Sequence, residues 1–109
     1  RRLWIVFAAS ALVGWLLPAG VSAGPGVLCG GVPVTVFGDA GANILLGTPG
    51  DDVIAGFGGD DRIDGLGGND VICAGGGNDV VFGGPGADRL WGQLGHDYLN
   101  GNAGPDLLA

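Results

Sequence analysis

A nine-residue repeat covers residues 38–109 and constrains the fold of this chain more than any other feature. The repeat divides, without insertions, into eight blocks: GDAGANILL, GTPGDDVIA, GFGGDDRID, GLGGNDVIC, AGGGNDVVF, GGPGADRLW, GQLGHDYLN and GNAGPDLLA. In every block the fourth residue is glycine and the eighth is a branched aliphatic residue, and the sixth is aspartate in all but the first. A fixed period of this kind is typical of stacked-repeat proteins.

Each block predicts a turn followed by a very short strand. Its first six residues are rich in glycine, asparagine and aspartate, which suit a turn with positive φ angles. The last three have an apolar centre, and alternation in a strand points the eighth residue to one face. A helix is costly with this much glycine. Because one block cannot bury its own apolar residue, we expect the blocks to stack and to bury a ladder of Leu, Ile and Val.

The aspartates of stacked turns would lie in rows, where like charges repel. A hard divalent cation between successive turns reverses the sign of that interaction. Carboxylate and carbonyl oxygens are the ligands of Ca²⁺, which takes 6–8 of them. Transition metals fit less well, because one histidine and two cysteines do not build a soft-ligand site.

The blocks resemble the RTX (repeats-in-toxin) nonapeptide Gly-Gly-x-Gly-x-Asp-x-U-x, in which U is a large aliphatic residue. The resemblance implies an all-β, right-handed parallel β-roll (a β-solenoid) with two nonapeptides per turn. It also implies Ca²⁺ ions between blocks n and n+2, held by sixth-position side chains and by backbone carbonyls of the glycine-rich turns. The candidate ligands are Asn43, Asp52, Asp61, Asp70, Asp79, Asp88, Asp97 and Asp106, with Gly50, Gly59, Gly68, Gly77 and Gly86.

Eight blocks allow up to about six such sites. Five of them pair two aspartates, while the sixth pairs Asn43 with Asp61 and is expected to bind most weakly or to stay empty. Several residues depart from the family pattern. The position of the second glycine is taken by Phe57, Leu66 and Gln93, and the last two turns are loosened by Leu94, His96 and Pro105.

The first 23 residues have the pattern of a secretory signal peptide. Two arginines precede the apolar run of residues 3–17, and a small-residue stretch ends at Ala23. The apolar run is short for a membrane span, although an uncleaved anchor is the alternative. A leader of this type resembles the small secreted RTX-repeat proteins of high-GC Gram-positive bacteria. We therefore expect a secreted, extracellular protein without stable membrane insertion after cleavage, with residues 24–37 as an N-terminal capping segment.

The charge of the chain limits its binding partners, and its two cysteines suggest a disulfide. After cleavage 2 arginines and 11 aspartates would remain, a net charge of −9 with His96 neutral. Nucleic acid is excluded by this charge, because phosphate binding needs clustered Lys and Arg. In an exported protein the cysteine pair suggests a disulfide between Cys29 and Cys73; two free buried thiols are the alternative.

No constellation for catalysis is present, so we expect a non-enzyme. The serines lie in the leader, and the chain contains no Lys or Glu. The expected function is calcium-driven folding of a β-roll module. One alternative is a surface adhesion or scaffold protein whose outer aromatic residues, Phe82, Trp91 and Tyr98, bind a protein or carbohydrate. The favoured interpretation of these residues is that they cover the outer face of a thin sheet. Another is a fragment of a larger RTX exoprotein.

Overall fold

The computed structural model describes the backbone of residues 3–7 and all of residues 26–109, and these residues form strands and turns. Residues 1–2 and 8–25, which contain most of the predicted leader and its cleavage site, lie outside the described residues. Among the residues that the structure describes, no helix has the length and apolarity needed to cross a membrane.

The strands are short and follow the repeat. Most occupy the seventh to ninth residues of a block, as the pattern predicts, and the first two strands of the repeat are longer. The strands are β1 (Leu3–Phe7), β2 (Leu28–Cys29), β3 (Val32–Pro33), β4 (Val36–Asp39), β5 (Ala42–Leu46), β6 (Val53–Phe57), β7 (Arg62–Asp64), β8 (Val71–Cys73), β9 (Val80–Phe82), β10 (Arg89–Trp91), β11 (Tyr98–Asn100) and β12 (Leu107–Leu108).

Two parallel sheets form the walls of a solenoid. The odd sheet has the order β1-β5-β7-β9-β11, and the even sheet has the order β12-β10-β8-β6-β4. Successive strands of the repeat alternate between the sheets, and neighbours within a sheet are two blocks apart, as when Ile63 pairs with Val81 and Ile72 with Leu90. The predicted β-roll with two nonapeptides per turn is therefore confirmed.

The core is the predicted aliphatic ladder. The eighth residue of each of the first six blocks is at most 1% exposed, and burial of such a side chain contributes roughly 1.5–3 kcal/mol. Leu99 is only partly buried, and Leu108 is 43% exposed because β12 lies at the edge of the even sheet. The buried residues of the ladder are Leu45, Ile54, Ile63, Ile72, Val81 and Leu90.

A small antiparallel hairpin covers the outer face of the even sheet. It is formed by β2 and β3, and a second apolar cluster joins Cys29 and Val34 to Val53 and Val71. The disulfide between Cys29 and Cys73 is present, as predicted, and links the hairpin to β8. The following strand β4 already belongs to the roll, so the predicted boundary at residue 37 falls inside a strand.

Part of the predicted leader pairs with the roll. Strand β1 lies parallel to β5 at the N-terminal edge of the odd sheet, with Leu3 opposite Ala42 and Phe7 opposite Leu46. Cleavage of the leader, and the division of the chain at residue 23, stay predictions.

Candidate metal centre

The sixth-position side chains lie in two rows along the turns. Backbone pairing two blocks apart brings together every second block, so that each row has four members. All the members from the first six blocks are 1–5% exposed, whereas Asp97 and Asp106, nearer the C-terminal end of the roll, are partly buried. One row contains Asn43, Asp61, Asp79 and Asp97, and the other contains Asp52, Asp70, Asp88 and Asp106.

From Asp61 onward, one oxygen of each sixth-position carboxylate is fixed by the backbone. The Oδ1 atom accepts the N–H of the sixth residue two blocks earlier, over 2.7–2.9 Å. Asp79 Oδ1, for example, accepts the N–H of Asp61 at 2.7 Å. This ladder of hydrogen bonds therefore fixes the rotation of the six carboxylates from Asp61 to Asp106 and leaves the second oxygen of each pointing away from that N–H.

That second oxygen has no partner in four consecutive blocks. The Oδ2 atoms of Asp61, Asp70, Asp79 and Asp88 are buried and make no hydrogen bond. Buried polar atoms are almost always paired in native proteins, and an unpaired charged oxygen costs more free energy than a neutral one. Four such atoms in two rows are suited to binding a positively charged partner.

Burial and crowding raise the pKa values of the same carboxyl groups. Desolvation is the main cause, partly offset by the backbone hydrogen bond, and the charge of the next aspartate in the row adds to it. The pKa of Asp61 and of Asp70 rises to about 7 and that of Asp79 to about 6, and desolvation also raises the pKa of Asp88. Burial thus opposes ionisation of these carboxyl groups, and a cation placed beside them would favour it.

The first residue of the block lies close to the carboxylate of its own block and to the backbone of the next turn. A Cβ added to Gly56 would lie 2.6 Å from Asp61 Oδ2 and would also meet the carbonyl oxygen of Ala74 in the next turn. At Gly65 the added atom would meet Asp70 Oδ2 and, at 2.8 Å, the carbonyl oxygen of Gly83. A carboxylate oxygen and a carbonyl oxygen from successive turns thus both lie beside this glycine, so that two oxygen atoms able to bind a cation are near one another. Ala74 occupies this position in the fifth block and brings a methyl group there.

The fourth-position glycines are required by the stacking of turns. Gly77 has a φ of 103°, and a Cβ on it would collide with the carbonyl oxygen of Gly59 in the turn below. The same holds for Gly86 and the carbonyl of Gly68. The predicted carbonyl ligands Gly59, Gly68, Gly77 and Gly86 therefore lie in stacked, left-handed turns; Gly50 does not share the positive φ.

The donor set consists of oxygen atoms alone. Within residues 26–109, no group of three or more His, Cys, Asp or Glu side chains converges in a way that could hold a metal. A cation between these turns would therefore be held by carboxylate oxygens together with backbone carbonyls. That combination suits a hard ion such as Ca²⁺ and does not suit a thiolate- or imidazole-binding metal.

Comparison with known proteins agrees with this donor set. The family model described as "RTX calcium-binding nonapeptide repeat (4 copies)" matches residues 37–72 and 74–108, which together are more than half of the chain. The chain belongs to this RTX family. Its repeats are calcium-binding, and the cation that fits between the turns is Ca²⁺. No curated protein and no solved structure matches the chain.

The first two RTX turns differ from the other six in backbone conformation. From the third block onward the second and fourth residues both have positive φ, even where the second residue is Phe57, Leu66 or Gln93. In the first two blocks neither position does, and the second residue is Asp39 or Thr48. These two residues were not among the predicted site residues, although each has a side chain that can accept a nearby backbone N–H.

Asp39 and Thr48 contact the sixth residue of their own RTX block. The N–H of Thr48 donates to Asp52 Oδ2 at 2.6 Å, and its hydroxyl lies 3.1 Å from both carboxylate oxygens. In the first block the N–H of Asp39 donates to Asn43 Oδ1 at 2.9 Å, and Asn43 Nδ2 donates to Asp39 Oδ1 at 3.1 Å. The sixth-position side chain of each early turn is thus held within its own block.

The remaining side chains noted in the sequence lie outside the rows. His96 is exposed, and its N–H donates to Asn78 Oδ1 at 2.9 Å. Trp91 packs in the cluster beneath the hairpin, whereas Tyr98 is 55% exposed on the odd sheet, with its ring 6.0 Å from that of Phe82. The three aromatic residues therefore do not form one continuous surface.

Proposed function

We propose that this chain is an exported, non-enzymatic module whose glycine-rich turns order when Ca²⁺ binds between them. The single observation that carries the proposal is the set of four buried Oδ2 atoms without partners, at Asp61, Asp70, Asp79 and Asp88. At Asp61 and Asp70 a backbone carbonyl oxygen of the next turn lies close by, and one ion beside each of the four Oδ2 atoms would account for four of the six that the repeat count allows.

The energetics of the rows explain why calcium would drive folding. Without the ion, folding must bury like-charged carboxylates next to one another, and their raised pKa values measure that cost. With the ion, the same oxygens become ligands. Because the unfolded chain has no preformed site, the free energy of calcium binding becomes free energy of folding. Extracellular calcium modules bind with Kd of about 10⁻⁴–10⁻³ M, so such sites fill where calcium is abundant.

Two features support export. The leader pattern at residues 1–23 is that of a secreted protein, and the disulfide between Cys29 and Cys73 is of the kind that persists in oxidising compartments. A secretion assay in an actinobacterial host tests this proposal. We expect the protein in the medium with its N-terminus near residue 24, and a cell-associated chain that retains residues 1–23 would contradict it.

Far-ultraviolet circular dichroism of the full chain, with the disulfide intact, tests calcium-driven folding. We expect a mostly disordered spectrum in chelator and a β spectrum in millimolar CaCl₂. MgCl₂ at the same concentration is the control, because Mg²⁺ demands a smaller, strictly octahedral shell and keeps its water. Identical spectra in chelator and in calcium would contradict the proposal, and an equal response to both ions would show a mere charge-screening effect.

A further inference from the structure

The first two turns satisfy their own sixth-position side chains, and this difference has a consequence for where ions bind. In blocks three to six a carboxylate oxygen is buried without a partner, whereas in block two both oxygens of the equivalent Asp52 contact Thr48. Asp52 otherwise resembles the later sixth-position aspartates. Its side chain is only 5% exposed, and its N–H donates to the Oδ1 atom of the aspartate two blocks later, Asp70.

The backbone shows how the hydrogen bonds differ. The N–H of the second residue points at the sixth-position side chain only where that second residue has negative φ, as at Thr48. At Leu66, with a φ of 66°, the N–H is turned away and donates to Asp64 Oδ1 at 3.1 Å, so that Asp70 Oδ2 keeps no partner. A turn with negative φ at its second and fourth residues thus donates a hydrogen bond to its carboxylate, whereas a turn with positive φ at both leaves an oxygen of the carboxylate for a cation.

The Thr48 side chain also stabilises this turn conformation through a second hydrogen bond. Its hydroxyl oxygen accepts the N–H of Gly50 at 3.1 Å while lying within hydrogen-bond distance of Asp52. Threonine is β-branched and therefore disfavours positive φ. Asp39 does the same in block one, where its Oδ1 accepts the N–H of Gly41 at 2.7 Å. These side chains lock the turn that supplies the donor.

We propose that Thr48 replaces a calcium ion: the Asp52–Asp70 position stays empty, and ion binding begins at Asp61. The proposal rests on the calcium-binding function above and specifies which turns carry it. The first two turns would then fold by hydrogen bonding and apolar packing alone, with the hairpin packed against Val53 at the end of block two. They would serve as the ordered base on which the calcium-dependent turns stack.

Isothermal titration calorimetry of the full chain with CaCl₂ tests the assignment, using four variants and the wild-type protein. Asp52→Asn is expected to bind as many ions as the wild type, while Asp70→Asn is expected to bind one fewer. Asn43 shows that a turn of this kind accepts an amide. Thr48→Gly, which gives block two the second glycine that blocks five and six carry, is expected to gain one ion.

Thr48→Val is the matched control for Thr48→Gly. It removes the hydroxyl but keeps the β-branch that opposes positive φ, so we expect the wild-type number of ions. Circular dichroism in saturating calcium establishes that each variant is folded. The assignment is overturned if Asp52→Asn loses an ion, or if folded Thr48→Gly gains none. If the wild type itself binds no calcium, the proposed function fails instead, so the two failures are distinguishable.

Discussion

Replacing Asp70 with asparagine separates the two roles that a buried carboxylate has in this roll. The substitution keeps the shape of the side chain and the Oδ1 atom that accepts the N–H of Asp52 at 2.8 Å. It removes the charge and turns the unpartnered Oδ2 into an N–H₂ group, for which the carbonyl oxygen of Gly83 lies nearby as an acceptor. We expect the calcium-free roll to become more stable and its response to calcium to become smaller.

The magnitude follows from the pKa of the carboxyl group. Desolvation raises the pKa of Asp70 from 3.8 to about 7, and one unit corresponds to 1.36 kcal/mol, so the ionised group costs the calcium-free fold up to ~4 kcal/mol above pH 8. The buried amide retains part of that cost, and we expect a gain of about 2–4 kcal/mol. In 5 mM calcium, one site with Kd of about 10⁻⁴–10⁻³ M supplies about 1–2 kcal/mol, which the variant should lose.

Urea unfolding followed by circular dichroism at pH 8, in chelator and in 5 mM CaCl₂, measures the stability of the calcium-free roll and the stability gained from calcium. Where the calcium-free chain is mostly unfolded, an added osmolyte shifts it toward the folded state so that its unfolding can be measured. Asp51→Asn is the matched control, because it removes the same charge from an exposed position where its Oδ1 can still accept the N–H of Asn69. The reasoning is refuted if Asp70→Asn is less stable than the wild type in chelator and responds fully to calcium.

Three further predictions concern pH, the disulfide and the stacked glycines. Without calcium, the free energy of unfolding should fall as the pH rises from about 4 to about 7, because the folded state retains protons on Asp61 and Asp70 that the unfolded chain has released. Urea titrations at pH 5 and pH 8 measure this free energy, and a higher value at pH 8 would contradict the prediction. The disulfide Cys29–Cys73 joins residues 44 positions apart, and its reduction should lower the free energy of unfolding by about 4 kcal/mol with or without calcium. Equal urea midpoints before and after reduction would argue against a structural role of the disulfide. Gly77→Ala should lower the thermal midpoint far more than Gly76→Ala, since a Cβ meets the carbonyl of Gly59 in the first case and open space in the second; similar midpoints would contradict the stacking argument.

The architecture was predictable because the repeat determines it at every level. An apolar eighth residue is buried in every block up to Leu90, and a glycine is required at the fourth position because the next turn's carbonyl occupies the place of a side chain. The pairing of Cys29 with Cys73 followed from the small number of cysteines. These features depend on residue type alone, so the sequence displays them directly.

The turn conformations were not predictable in the same way. Phe57 and Leu66 stand where a glycine is expected, yet both adopt the positive φ of the other turns, because stacking on the neighbouring turns outweighs a local cost of about 1–2 kcal/mol. Thr48 occupies the same position of its block as Phe57 and Leu66, but its hydroxyl offers the backbone an alternative hydrogen bond, and its turn has a different conformation. Only the structure separates a substitution that the turn tolerates from one that changes its conformation.

The most direct test of the calcium sites is an anomalous difference map from crystals of the chain grown in CaCl₂. The account predicts peaks between successive turns beside the Oδ2 atoms of Asp61, Asp70, Asp79 and Asp88, and none beside Asp52. Peaks confined to exposed aspartates such as Asp51 and Asp60, with these buried oxygens unliganded, would contradict it.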